Sequence, residues 1–78
     1  METMLRCPAV VAAMGDARST VYARIAERLF VSPVRIGRRS VAWPASEVEA
    51  INAARIAGKT DTEIRALVMK LEAARKAA

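Results

Sequence analysis

Arg18-Ser19-Thr20-Val21-Tyr22, followed by Pro33-Val34-Arg35-Ile36-Gly37-Arg38-Arg39-Ser40-Val41-Ala42-Trp43, is the part of the sequence from which the fold can be read. The first run opens a helix. Val21, Ile25 and Leu29 recur every fourth residue and mark a buried stripe, with Arg18, Ser19, Tyr22 and Arg24 off it. The second run is extended. Val34 and Ile36 alternate with Arg35, Val41 and Trp43 alternate with Ser40 and Ala42, and Gly37-Arg38-Arg39 forms the turn between them. This reading predicts a hairpin with an apolar inner face, and with Arg35, Arg38, Arg39 and Ser40 outward or at the tip. A lone two-stranded ribbon is barely stable, so it must pack on the helices, with Trp43 over the junction.

Working outward, residues 1–7 read as frayed and Pro8–Met14 as a short first helix, Pro8 suiting a first turn where its missing N–H costs nothing. Gly15 stops that helix and Asp16 is placed to cap the next, expected from about Ala17 to Leu29. Beyond Pro44, Ser46 is placed to cap a helix of about Glu47 to Ala57, with Val48 and Ile51 inward and Gly58 as its stop. Thr60-Asp61-Thr62-Glu63 matches a capping box. It opens a last helix, to about Lys76, whose Ile64, Leu67, Val68, Leu71 and Ala74 fall on one face. Their spacing resembles a short coiled-coil seam. The chain therefore reads as mainly α with a small two-stranded β wing: a winged helix-turn-helix plus an extra C-terminal helix. Residues 1–58 form the winged domain and 59–78 a helical extension.

Charge and composition narrow the function. The net charge is +5 over 78 residues, with no histidine and one cysteine, Cys7. Residues 1–44 hold seven arginines against three acids, while 45–78 are nearly balanced. Arginines gathered in one half fit a polyanionic partner better than a generally solubilising surface. A lone cysteine forms no intramolecular disulfide, and without histidine neither a metal site nor histidine-based catalysis is expected, so no cofactor and no enzyme activity are predicted. Arg6 and Pro8 interrupt the apolar start of the chain, which points away from a signal peptide or membrane span and toward a cytoplasmic, nucleoid-associated protein. Alanine makes up 17 residues and only Tyr22, Phe30 and Trp43 are aromatic, so the core should be thin.

Double-stranded DNA is the partner this layout suits, with the second helix in a groove and the wing on the backbone beside it. Arg18, Ser19 and Thr20 can contact phosphates or base edges, or serve only as first-turn residues. Tyr22 can touch a phosphate through its hydroxyl or pack its ring against the wing. Arg24 can reach the groove or pair along the helix surface. Arg38 and Arg39 have few structural uses at a ribbon tip, whereas the Arg35 stem can instead cover Trp43. Ile64, Leu67, Val68 and Leu71 can fold back on the domain or support self-association with another copy on DNA. An adaptor or antitoxin-like module that uses the last helix and binds no DNA is the rival reading.

The chain resembles the AlpA family of phage and mobile-element regulators, which is related to excisionases and more distantly to the MerR-type winged helix. The resemblance runs from about Leu5 to Gly58. It is carried by Gly15 with Arg18-Ser19-Thr20-Val21-Tyr22, by Pro33-Val34-Arg35-Ile36-Gly37, and by Val41-Ala42-Trp43 with Ser46-Glu47-Val48-Glu49-Ala50. The chain departs from the family pattern at three places. Ala17 stands where serine is usual, Arg28 and Val31 stand near a usual glycine and proline, and Ile51 stands where tryptophan is usual. The resemblance implies a recombination directionality factor that binds repeated sites beside an attachment site, bends DNA and tilts a site-specific integrase toward excision. It equally allows a transcriptional regulator of integrase or excision genes.

Overall fold

The computed structural model describes residues 2–77; Met1 and Ala78, parts of the expected frayed start and C-terminal extension, lie outside the described residues. In chain order the elements are β1 (Met4–Leu5), α1 (Cys7–Met14), α2 (Arg18–Ala26), β2 (Val34–Arg35), β3 (Val41–Pro44), α3 (Ala45–Ile56) and α4 (Asp61–Ala77). This is a winged helix-turn-helix with an added C-terminal helix. The sheet has three strands rather than the expected two, in the order β1-β3-β2 and antiparallel throughout. Met4 and Leu5, expected to fray, pair with Pro44 and Trp43, and the Ala45 N–H donates to Thr3 O at 2.8 Å. The third strand relieves the instability of a lone ribbon and covers one edge of β3.

The hairpin register corrects the expected faces. Ile36 and Gly37 donate to Ser40 O, which leaves a three-residue turn at 37–39. Val34 then pairs with Ala42 and Arg35 with Val41. Cross-strand partners share a face, so Val34 and Ile36 lie opposite to Val41 and Trp43 instead of beside them. Ile36, expected inward, is about half exposed, while Ala42, expected outward, is fully buried. Sequence alternation fixes faces within one strand, but the parity of the turn decides which faces of two strands coincide.

Trp43, expected over the junction of ribbon and helices, is part of the buried core itself. It is 0% exposed, its Nε1–H donates to Val31 O at 3.0 Å, and Phe30 and Tyr22 flank it at ring-centroid distances of 6.4 and 6.1 Å. Val10 of α1, Val21 of α2, and Val48 and Ile51 of α3 close around it. α4 completes the same core. Ile64 and Val68 are buried, and Leu67 and Leu71 are partly buried against the cluster, so of the two alternatives open for this face, folding back on its own domain is the one seen. The core is continuous across the boundary expected at Gly58.

Side chains of α4 also hold the segment between α2 and the wing. The Ser32 N–H donates to Glu72 at 2.8 Å, and Ser32 O accepts from Arg75 at 2.8 Å. Arg75 in turn grips Glu47 of α3 through both carboxylate oxygens. Glu47 is 7% exposed, and a carboxylate that deep needs such a fork to offset lost hydration.

Helix ends follow the sequence unevenly. Gly15 and Gly58 take left-handed conformations as expected, and Thr60 and Glu63 exchange the two capping-box hydrogen bonds at 3.0 and 3.2 Å. α2 ends at Ala26, short of the expected Leu29, because Arg28 turns left-handed at φ 65°. Leu29 N–H reaches back to Arg24 O at 2.8 Å, which completes a Schellman-type stop. Two expected caps are absent. Ala17, not Asp16, is the N-cap of α2 and gives no side-chain bond, and Pro44 precedes α3. Ser46 instead gives its hydroxyl and its N–H to the Glu2 carboxylate, which comes from the far end of the chain to serve the start of α3.

Candidate DNA-binding face

α2 sits on the core through Val21 and the half-buried Ile25. At about 3.6 residues per turn, the outermost positions are then Ser19, Ala23 and Ala26, all exposed. Arg18 and Tyr22 form the flank toward the wing, and Thr20 and Arg24 form the flank toward α3. No carboxylate stands in the first turn of α2 and no side chain caps its first free N–H groups.

The structure separates the sequence-predicted residues into two groups. Arg18, Tyr22 and Arg39 line one concavity together with Val41 of the wing. Arg18 lies over the Tyr22 ring, 5.8 Å from its centroid, and that ring is braced edge-on against Trp43. Tyr22 thus packs its ring against the wing junction while remaining about a third exposed. Arg38 is exposed at the tip, and Arg35, opposite Val41, shares the sheet face that bears Trp43. Among the described residues, Arg18, Arg35, Arg38 and Arg39 form no ion pair with any acid. Ser40 is half-buried and gives its carbonyl to the turn.

Arg24 is placed differently. Its Nε donates to Asp16 Oδ2 at 3.0 Å, and Arg55 of α3 reaches the same oxygen at 3.4 Å. Arg24 therefore lines a second, smaller concavity with Arg55, Lys59 and Asp61. Asp16 gave no cap because two arginines hold its carboxylate. Thr20 is half-buried beside this group and not on the outer face.

Two residues of this face escaped the sequence reading. Ala23 stands at its centre, where a methyl lets the helix approach a groove closely. Arg6 lines the same concavity as Arg18 and Arg39. It stands directly before α1, and only the pairing of Met4–Leu5 with β3 carries it there. The carboxyls held below the usual range are Glu2, chiefly by the Ser46 hydroxyl, and Glu63, chiefly by the Thr60 N–H; both cap helices away from this face. Among the described residues, no cluster of His, Cys, Asp or Glu could hold a metal ion, and no helix is long and apolar enough to cross a membrane.

A winged helix-turn-helix with a carboxylate-poor, arginine-bearing face is the class the geometry defines. Residues 3–56 match the family described as prophage CP4-57 regulatory protein (AlpA), so the chain belongs to that family, a regulatory family rather than an enzymatic one. It is also 45% identical over 58 residues to the protein named "Uncharacterized protein ORF88" of Enterobacteria phage P4; the match spans 74% of this chain and 66% of that one. No solved structure matches. The family match ends before α4, the helix that clamps the root of the wing.

Proposed function

We propose that the protein is a sequence-specific DNA-binding regulator of a mobile element and acts as an excisionase-type directionality factor. The observation that carries this reading is that Arg18 of α2 and Arg39 of the wing line one concavity, with Arg35 and Arg38 exposed on the same wing, all four without acidic partners among the described residues. α2 enters the major groove with Ser19 and Ala23 foremost, and Arg38 and Arg39 ride the flanking backbone. Arg18 holds the flank nearest the wing. Arg24 acts from the far flank only if DNA displaces Asp16.

A single module of this size buries only ~600–1,000 Å² on DNA, too little for tight specific binding. Binding to repeated sites supplies the rest, with copies meeting on the DNA and bending it for a site-specific integrase. Because Ile64 and Val68 are occupied inside their own domain, that self-association runs along the α2 and wing side rather than through the inner face of α4.

The regulatory description of the matched family favours a second reading, a transcriptional regulator acting at a promoter. Gel-shift titration on the element's attachment region and on its integrase promoter separates the two, with a circular-permutation assay to read bending. Cooperative, bend-inducing binding beside the attachment core is the expected result. Tight binding at the promoter alone favours the second reading, and no preference for either over random duplex removes both.

A further inference from the structure

The concavity between α1, α2 and the wing has a charge arrangement that the fold does not explain. It measures about 460 Å³, and three arginines line it: Arg6 from before α1, Arg18 from α2 and Arg39 from the wing turn. Tyr22, Pro8 and Val41 also line it. No carboxylate lines it. Among the described residues none of the three arginines makes an ion pair or a side-chain hydrogen bond, although the chain holds eight acids. Elsewhere the molecule does the opposite: one aspartate serves both Arg24 and Arg55, and Glu47 is forked by Arg75.

Three like charges around one hollow repel each other, and beyond the seat of Arg18 over the Tyr22 ring, folding gives no reason to assemble them from three separate elements. An anion seated among them turns the repulsion into attraction. Guanidinium groups fit phosphate oxygens in paired hydrogen bonds, and a tyrosine hydroxyl adds a donor. The hollow opens on the flank of α2 nearest the wing, where a backbone passing from groove to wing would lie.

Building on the DNA-binding reading, we infer that this concavity is a seat for one DNA backbone phosphate, with Arg6, Arg18 and Arg39 converging on its oxygens. The seat fixes the register of α2 in the groove by locking three elements to one point on the backbone. Arg6 is the informative member, because it belongs to neither the recognition helix nor the wing.

Cys7, the single cysteine of the chain, also lines the hollow and is half-buried, so it reports on occupancy. The test titrates duplex DNA against wild type, Arg6→Ala and Arg6→Lys, and follows alkylation of Cys7 by iodoacetamide with and without duplex. Arg6 offers no side-chain cap to α1, so its replacement leaves the fold intact. Arg6→Ala should weaken binding roughly tenfold at specific and random sequences alike. It should also lower the log–log salt slope by ~0.9. Arg6→Lys should keep the slope, and bound duplex should shield Cys7. If wild type binds duplex and loses affinity on Arg38→Ala, yet Arg6→Ala keeps wild-type affinity and slope and Cys7 stays equally reactive, the seat is wrong while the DNA-binding reading stands. If wild type binds no duplex, both fall.

Discussion

The two sides of this molecule treat arginine in opposite ways. On the α3–α4 side, Arg55 and Arg75 are tied to Asp16 and Glu47, and Arg65 donates to Glu27 O. On the side of α1, α2 and the wing, Arg6, Arg18, Arg35, Arg38 and Arg39 meet no acid among the described residues. Counting arginines by sequence half shows an excess but not this division. Paired guanidinium groups join elements together, whereas unpaired ones remain available to an outside anion. The first kind should matter for stability and the second for binding, and substitutions can separate them.

The largest effect is expected at Arg75. Arg75→Ala strands the Glu47 carboxylate in a site where it is 7% exposed and removes a donor from Ser32 O. Loss of about 3 kcal/mol is expected, near the lower end for breaking a buried pair. That is a large share of the ~4–12 kcal/mol such a chain has. Urea melts would read it, and a midpoint close to wild type would mean that α4 does not clamp the wing root. The wing supplies the converse. Arg38→Ala combined with Arg39→Ala should leave the melting midpoint within ~0.5 kcal/mol. DNA titrations across a salt series should show the slope flattened by up to ~1.8 if each residue holds one phosphate. A stability loss with an unchanged slope would reverse the division.

Arg28 sharpens the comparison from another direction. It stops α2 in the left-handed region at φ 65°, the same task Gly58 performs for α3 at φ 77°. A side chain there costs roughly 1–2 kcal/mol, partly offset by the extra freedom glycine has when unfolded. Arg28→Gly should therefore stabilise the fold by about 0.5–1 kcal/mol, raising Tm by a few degrees in a domain this size. A drop in Tm would mean that the Arg28 side chain makes contacts outweighing its backbone strain.

The smallest effect concerns pH. Thr60 holds the exposed Glu63 carboxyl below its usual range. A carboxyl whose folded pKa is lowered stabilises the fold above its unfolded value, and that contribution fades as pH falls through the carboxylate range. Glu63→Gln should shrink the loss of stability between neutral and acid pH while leaving DNA binding unchanged. Melts of the two proteins at pH 7 and pH 3 would check it, and an identical acid loss in both would count against the capping box.

Local chemistry was enough for part of this structure. Gly15 and Gly58 as stops, the Thr60–Glu63 exchange, Val21 and Ile25 on the inner side of α2 and the turn at Gly37-Arg38-Arg39 depend on residues a few positions apart, and each stands where the sequence placed it. The interactions that moved depend on partners outside their own helix turn, most of them far along the chain. Asp16 and Ser46 have the right chemistry to cap, but Asp16 is taken by Arg24 and Arg55, and Ser46 by Glu2. A side chain with several possible partners goes to those that folding brings nearest, and sequence spacing does not rank partners 40 residues apart.

By itself the sequence determined the element types, the basic bias of the first half, and the helix-turn-helix with its wing, because periodicity, turn residues and charge are local properties. Only the tertiary structure decided the third strand, the faces of the hairpin, the inward turn of α4 and the meeting of Arg6 with Arg18 and Arg39. Each of these depends on which distant surfaces come into contact, and burial of the shared core around Trp43 makes that choice.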